Sequence, residues 1–411
     1  MKKLTEFVTT HLNDDTSRLI LDRKKYPQID VDLAVACIES RRKLKGKVQE
    51  WYDEPELIFP FKLSAEQCSS SATGRYKAAL ADRIAEKENW TIADLTGGLG
   101  VDSWFFSRKA TRVHYNEMQS PLYDAAGHNF KILGADNIER SCVEITADTI
   151  GQTLNGSAPD IVFMDPARRG EGGRKVFLIE ECTPDVLTLK DEIFQRVRHI
   201  LIKLSPMADI TMVCDRLGHT CREVHVVATA GECKELLIWM DREYDGMPDI
   251  HAVELHQNNS SAEFTFTHAD EKSVVFNELT IDKNSWQSAE YLFEPGKAMM
   301  KAGPFNLIAS RFGLYKLGKS THYYVTDSAE KAEELKKFGK VFRIMDRLPL
   351  DKRSIKETGK KYPKAEVTAR NIPMDTDTLR KKMGVTSGDD AHIFGLKSDS
   401  EGNLLIVAER I

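Results

Sequence analysis

Four acidic residues follow short apolar runs, at intervals that suit successive strand ends: Asp94, Glu117, Asp148 and Asp165. The first opens the segment DLTGGLG (94–100), where Thr96, Gly97, Gly98 and Gly100 lead into a helical pattern at Val101. Glycines let a chain turn sharply off a strand and let a ligand approach the main chain. The helix start behind such a turn offers unpaired N–H groups to a polar ligand. Each acid has a use with a nucleoside ligand. Glu117, followed by Met118, can accept both hydroxyls of a ribose. Asp148 can accept from an adenine amino group, and Asp94 can meet an ammonium group. Taken singly, Asp94 and Asp148 read equally well as caps of turns and helix starts. Jointly, four acids beside a glycine turn form a binding rim.

Such a rim needs a parallel sheet beneath it, and the surrounding pattern supplies one. Strands are expected at 91–95, 112–117, 142–147, 160–164 and 199–204, with helices near 101–109, 120–133, 184–196 and 209–217 between them. Continuous apolar strands such as Ile161–Met164 are what a sheet covered on both faces requires. Two more strands, 223–229 and 234–240, are joined by a link short enough for a hairpin. The expected fold class is α/β, a Rossmann-like seven-stranded sheet. An N-terminal helical region (1–62) precedes it, and small α+β domains follow. The texture changes at Asp245-Gly246-Met247-Pro248, after which strands are expected at 250–256, 262–267 and 272–277. One helix from Lys297 to Arg311 follows, then strands at 323–326, 341–345, 365–371, 391–396 and 403–409, and a helix at Thr376–Met383.

Composition sets the bounds. A chain of 411 residues, 41% apolar, is long enough for several domains. It has no apolar run long enough for a membrane helix and no apolar core of a signal peptide near its start. Its seven cysteines form no C-x-x-C pair, so a reducing compartment, the cytoplasm, is expected and no metal site is. The net charge of −5 is uneven: residues 331–384 carry +8 and the remainder −13. A basic segment on an acidic protein suits an anionic partner, or is simply a solvated face.

With DLTGGLG, Glu117, Asp148 in TAD, and DPAR (165–168), the stretch 64–240 resembles the class I S-adenosylmethionine-dependent methyltransferases. Nicotinamide binding is the nearest rival, but its G-x-G-x-x-G pattern would put glycine where Ser103 stands. The resemblance implies S-adenosylmethionine as cofactor, bound by Asp94, Thr96, Gly98, Gly100, Glu117, Met118 and Asp148. It also implies that Gln67 and Ser69 lie over the donor's methionine end. Asp165, Pro166 and Arg168 would face the methyl group. In amino-methylating relatives that motif is Asp/Asn-Pro-Pro-aromatic, and its carboxylate and next carbonyl accept from an exocyclic amine. Here Ala167 and Arg168 replace the second proline and the aromatic ring. The RNA uracil-C5 enzymes need a cysteine after strand five, and Lys203-Leu204-Ser205-Pro206 has none. Direct transfer to nitrogen or oxygen is what remains, a step that needs alignment more than a strong base.

The last third resembles a group of bacterial methyltransferases of unassigned function that carry a ferredoxin-like domain and then a THUMP-like domain. The carrying segments are YLFEPGKAMMKAG (291–303), YYVTDS (323–328), KVFRIMDRLPLDKRSIK (340–356) and EVTARN (366–371). The domain boundaries that follow are 1–62, 63–244 (methyltransferase), 245–335 (ferredoxin-like) and 336–411 (THUMP-like). Arg343, Arg347, Lys352, Arg353, Lys356 and Lys361 then form an expected RNA-binding set on a strand-loop-strand, with Tyr362 interleaved. Flexible cations on phosphates give sequence-independent affinity. The expected function is methylation of a nucleobase nitrogen in structured RNA, tRNA or rRNA. A protein or small-molecule substrate, or a non-catalytic RNA-binding role, are the alternatives.

Overall fold

The computed structural model describes residues 2–155, 159–168, 179–276 and 280–411. The chain divides into two compact units, Met1–Val224 with Glu235–Pro248, and His225–Lys234 with Asp249–Ile411.

The first unit holds most of the expected sheet, and the hairpin end of its last two strands, His225–Lys234, groups with the second unit. Its strands are β1 (Thr91–Asp94), β2 (Arg112–Asn116), β3 (Ile138–Ser141), β4 (Ile161–Met164), β5 (His199–Leu204), β6 (Cys221–Thr229) and β7 (Glu232–Asp241). These seven run in the order β6-β7-β5-β4-β1-β2-β3 and belong to a sheet of nine strands, where seven were expected. Neighbours from β3 through β5 are parallel, and β7 joins β5 antiparallel. Every residue of β4 is buried, as covered faces require. The chain leaves β1 for β2 on one side and returns as β4 on the other. That reversal opens a crevice above the carboxyl ends of β1, β2 and β4.

Helices α1 (Val31–Leu44), α2 (Lys62–Gln67) and α3 (Ser71–Ala85) precede the sheet. The N-terminal helices group with the sheet in this unit. Part of the reason lies in α5 (Ser120–Ile132), where Asn129 exchanges two hydrogen bonds with the backbone of Ile58, at 2.8 and 2.9 Å. Helices α4 (Val101–Ser107), α6 (Ala147–Asn155), α7 (Val186–Phe194) and α8 (Ile210–Leu217) complete the layers.

Strand β3 lies earlier than the apolar residues at 142–147 suggest. Asn116, at the end of β2, is the cause. Its side-chain oxygen accepts from Ser141 Oγ (2.7 Å) and Val143 N (3.1 Å), and its amide donates to Val143 O (2.9 Å). Those bonds hold Val143 to a side chain and leave it outside the backbone ladder.

The second unit contains the hairpin β8 (Asp249–Leu255) and β9 (Ser261–Phe266), and a seven-stranded sheet. That sheet is built from β10 (Tyr291–Pro295), β11 (Tyr315–Lys316), β12 (Tyr324–Thr326), β13 (Gly339–Pro349), β14 (Lys364–Arg370), β15 (Thr386–Ser398) and β16 (Gly402–Arg410). Their order is β11-β12-β10-β13-β16-β15-β14. Over 272–276, the described part of the strand expected at 272–277, no strand is formed: a Thr267 capping box starts a helix at His268–Ser273. The expected Lys297–Arg311 helix is two helices, α9 (Lys297–Ala302) and α10 (Phe305–Phe312), split by left-handed Gly303 and by Pro304.

Residues 340–370 are not strand-loop-strand. Asp351 accepts from Ser354 N at 2.8 Å and starts α11 (Lys352–Lys361). Its buried residues Ser354, Ile355, Thr358 and Gly359 recur with helical period. Gly359 is needed there: a Cβ would lie 2.0 Å from the carbonyl oxygen of Met383, the last residue of α12 (Thr376–Met383).

Gly100 shows how tightly the first turn is made. It has φ +89°, and a Cβ would meet the Phe130 ring at 2.5 Å. Gly100→Ala is expected to cost about 1–3 kcal/mol of unfolding free energy, from the backbone conformation and the overlap together. Urea denaturation checks this, and an unchanged midpoint would contradict the packing described.

Candidate active site

The crevice above β1 holds a cavity of about 400 Å³. The main-chain turn off β1 forms its floor. Asp94, Thr96, Gly98, Glu117, Met118, Gln67, Ser69 and Asp165 all line it. The structure therefore brings together most of the residues singled out from the sequence.

Glu117 sits just past β2 and is 7% exposed. Its two oxygens accept separately, Oε2 from Gly98 N (2.9 Å) and Oε1 from Gln119 N (2.8 Å). A carboxylate oxygen has two lone-pair sites, so each keeps one for a ligand hydroxyl. Tyr115, on β2, donates its hydroxyl to Gly98 O at 2.6 Å, fixing the same turn from the other side.

Asp94 is almost wholly buried and accepts from Thr96 N (3.1 Å) and Ser103 Oγ (2.6 Å). Burial pushes its carboxyl up to about 7, assisted by the charges of Asp102 and Asp165 and opposed by those two hydrogen bonds. Ser103 occupies the place a third glycine would take in a nicotinamide fingerprint. Its hydroxyl serves Asp94 instead.

Asp165 follows β4. Its N–H donates to Thr96 Oγ1 (2.6 Å), and its Oδ2 accepts from Lys203 Nζ (2.5 Å). Lys203 stands near the end of β5 and also lines the cavity. Burial alone would lower its pKa, but the carboxylates of Asp165, Asp102 and Glu235 raise it above the ordinary lysine value. A second cation lies deeper. Lys77 of α3 is fully buried and donates to both oxygens of Glu235 (2.7 and 2.9 Å) and to Ser69 Oγ (2.9 Å). It also lies 3.3 Å from Asp102. Ser69 donates to Asp102 at 2.8 Å, so Ser69 and Asp102 reach the cavity on a fixed ionic base.

Sequence reasoning missed Lys203 and Asp102, and left Lys77 open between facing the cofactor and packing. The signal for Lys203 was there: one lysine inside the otherwise buried strand HILIKL, where a charge persists only beside counter-charges.

Three singled-out residues lie elsewhere. Asp148 is an exposed first-turn residue of α6 and does not line the cavity. Because β3 ends early, Val143, Glu144 and Ile145 form that wall. Gly100 and Pro166 are buried and do not line the cavity either. The side chain of Arg168 lies outside the described residues.

In the second unit, Lys352, Arg353 and Lys356 are exposed on α11, and Arg353 pairs with Glu357 at 2.8 Å. Exposed Lys361, at the end of α11, stands over the Tyr362 ring at 5.1 Å. Arg343 on β13 pairs with Glu409 at 3.2 Å. Arg347 is half-buried, its guanidinium 5.2 Å from the Trp286 ring centre, and burial lowers its pKa. Arg347 therefore packs into its unit and is not a free member of the basic face.

A solved structure from Porphyromonas gingivalis W83, provisionally named a methyltransferase, superposes with a TM-score of 0.84. It is 28% identical and covers 99% of this chain and 97% of its own. The chain has the class I methyltransferase fold. A ferredoxin-like domain model matches residues 291–332, and a THUMP domain-like model matches 339–410. An rRNA methylase from Streptococcus thermophilus (12% identity, TM-score 0.29, 40% of this chain, 94% of that one) also matches. So does a Streptococcus mutans protein in complex with S-adenosylhomocysteine (14%, 0.27, 40% and 96%). Both are too distant to argue from. No curated protein matches significantly.

The Asp94 carboxyl gives this methyltransferase fold a pH signature. Between its ordinary value near 4 and its folded value of about 7, the native state binds a proton that the unfolded chain has released. Its contribution to stability therefore falls as pH rises through that window. Asp94→Asn should remove the slope. The difference in unfolding free energy between variant and parent should change by at most about 4 kcal/mol between pH 4 and pH 8. A difference independent of pH would contradict the burial of this group.

Proposed function

We propose that this chain transfers a methyl group from S-adenosylmethionine to a nucleobase nitrogen of structured RNA, tRNA or rRNA. The observation that carries the reading is the Glu117 carboxylate, which lines the cavity and is held by two backbone amides beside the glycine turn, one on each oxygen. That arrangement suits a vicinal diol. Bound there, S-adenosylmethionine would supply an electrophilic methyl on a sulfonium. Ser69, Asp102 and Gln67 would hold its methionine end, and the wall at 143–145 would flank its base.

Asp165 then serves the acceptor. Lys203 occupies one of its oxygens, which leaves the other to accept from an N–H of the incoming base. Such a contact orients the nitrogen lone pair towards the methyl group, and alignment supplies most of what in-line transfer needs. The RNA reading rests on the THUMP-like segment and on the exposed cations of α11. The proposed domains are 1–62, 63–244, 245–335 and 336–411. A cytoplasmic location accords with a reducing compartment for its free cysteines. Among the described residues no helix is long and apolar enough to cross a membrane.

Isothermal titration with S-adenosylmethionine tests the cofactor half. Parent protein should bind, and Glu117→Ala should bind at least tenfold more weakly, as loss of charged hydrogen bonds worth about 1.5–3 kcal/mol predicts. A parent that does not bind while its sheet remains folded would end the reading. The RNA half is tested by reversing charge at Lys352, Arg353 and Lys356. Affinity for bulk tRNA should drop, and the slope of log affinity on log salt should shrink by about 2–3. An unchanged slope would move the substrate away from RNA.

A further inference from the structure

The second unit has a cavity of its own, about 150 Å³, at the end of β10 and β14. Its wall takes Lys297 from α9, His322 and Tyr323 from the segment before β12, and Arg370 and Asn371 from the end of β14. The 291–332 and 339–410 segments both contribute to it, and junctions of this kind are where small-ligand pockets form.

The wall is preorganised. Asn371, in the left-handed region at φ 57°, donates its amide to Ser320 O (2.7 Å) and Thr321 Oγ1 (3.2 Å). Asp399 accepts from Lys319 N at 2.8 Å. Those bonds pin the segment that carries Ser320 and His322.

Its charge is positive. Glu294 also lines the cavity, but its carboxylate is engaged by the Tyr323 hydroxyl (3.0 Å) and by Lys340 (3.6 Å). Lys297 and Arg370 form no ion pair among the described residues. The His322 ring reports the same field. Burial first, then Lys316 and Arg370, push its pKa down to about 4, so it is neutral near pH 7. It stacks on Phe305 with centroids 3.6 Å apart, and its buried Nδ1 has no hydrogen-bond partner among the described residues. A neutral imidazole offers one donor and one acceptor, and Ser320 adds a hydroxyl.

Two cations, a neutral ring and a hydroxyl around a small hollow favour a compact oxyanion. The volume is roughly five waters' share of liquid. That suits a phosphate group and part of its sugar. We propose that this cavity binds a phosphate group, carried by RNA or by a small phosphorylated molecule. The binding does not depend on methyl transfer, so a chain that failed to take S-adenosylmethionine would still bind phosphate here.

Full-length protein would be titrated with inorganic phosphate and, separately, with a six-residue oligouridylate. At least one probe should bind, and each of Lys297→Gln and Arg370→Gln should weaken it by about tenfold, the effect of losing one charge-assisted contact. Lys24→Gln, at an exposed site in the first unit, should leave phosphate binding unchanged. Thermal melting of each variant shows that it folds, and the His322 ring resonance of the parent should move when phosphate is added. Binding of both probes would identify a free phosphate as sufficient, whereas binding of the oligomer alone would identify RNA as the source. If neither probe binds, or if both glutamine variants bind as tightly as the parent, the proposal is overturned.

Discussion

Two backbone amides, those of Gly98 and Gln119, hold the Glu117 carboxylate over the end of the central strand. Much of the first unit's local design serves that arrangement. The parallel order of β4, β1 and β2 brings the glycine turn and the acid to one edge. Left-handed glycines let the turn close beneath it. Tyr115, fully buried, holds the turn's carbonyl from below. A longer turn, or a side chain at Gly97 pressing on the Tyr115 ring, would separate the acid from the amides that aim it.

The second feature is the concentration of charge under the cavity. Burying ions costs more than their attraction returns unless geometry and hydrogen bonding are good. Here Lys77 and Lys203 are set among Asp102, Glu235 and Asp165 at hydrogen-bonding distances. An apolar core would stabilise this part of the chain at least as well. The arrangement makes more sense as positioning: it fixes where Ser69, Asp102 and Asp165 present their oxygens. Asp94 shows the opposite balance: burial outweighs its two hydrogen bonds, and its carboxyl is pushed up to about 7 as a result.

Much of this was legible in the sequence, and the reasons are local. A glycine turn after an apolar strand, and acids at strand ends, are read directly from residue types, so Asp94, Glu117 and Asp165 were found. Asp148 was misplaced because apolar content at 142–147 outweighed a tertiary contact, the Asn116 side chain binding Val143. No periodicity reveals that bond. Helix α11 was missed because its apolar face is made of Ser354, Ile355, Thr358 and Gly359, which carry little hydrophobic signal. Packing against α12 needs smallness there, and pattern reading looks for bulk. The buried lysines were visible as charges in apolar elements, but their partners, such as Glu235 for Lys77, are distant along the chain.

A crystal structure with S-adenosylhomocysteine would test the central claim most directly. The account predicts the ribose hydroxyls within hydrogen-bonding distance of both Glu117 oxygens, and the sulfur aimed at the space beside Asp165. A nucleoside bound elsewhere, or one in this crevice with its ribose turned away from Glu117, would contradict it.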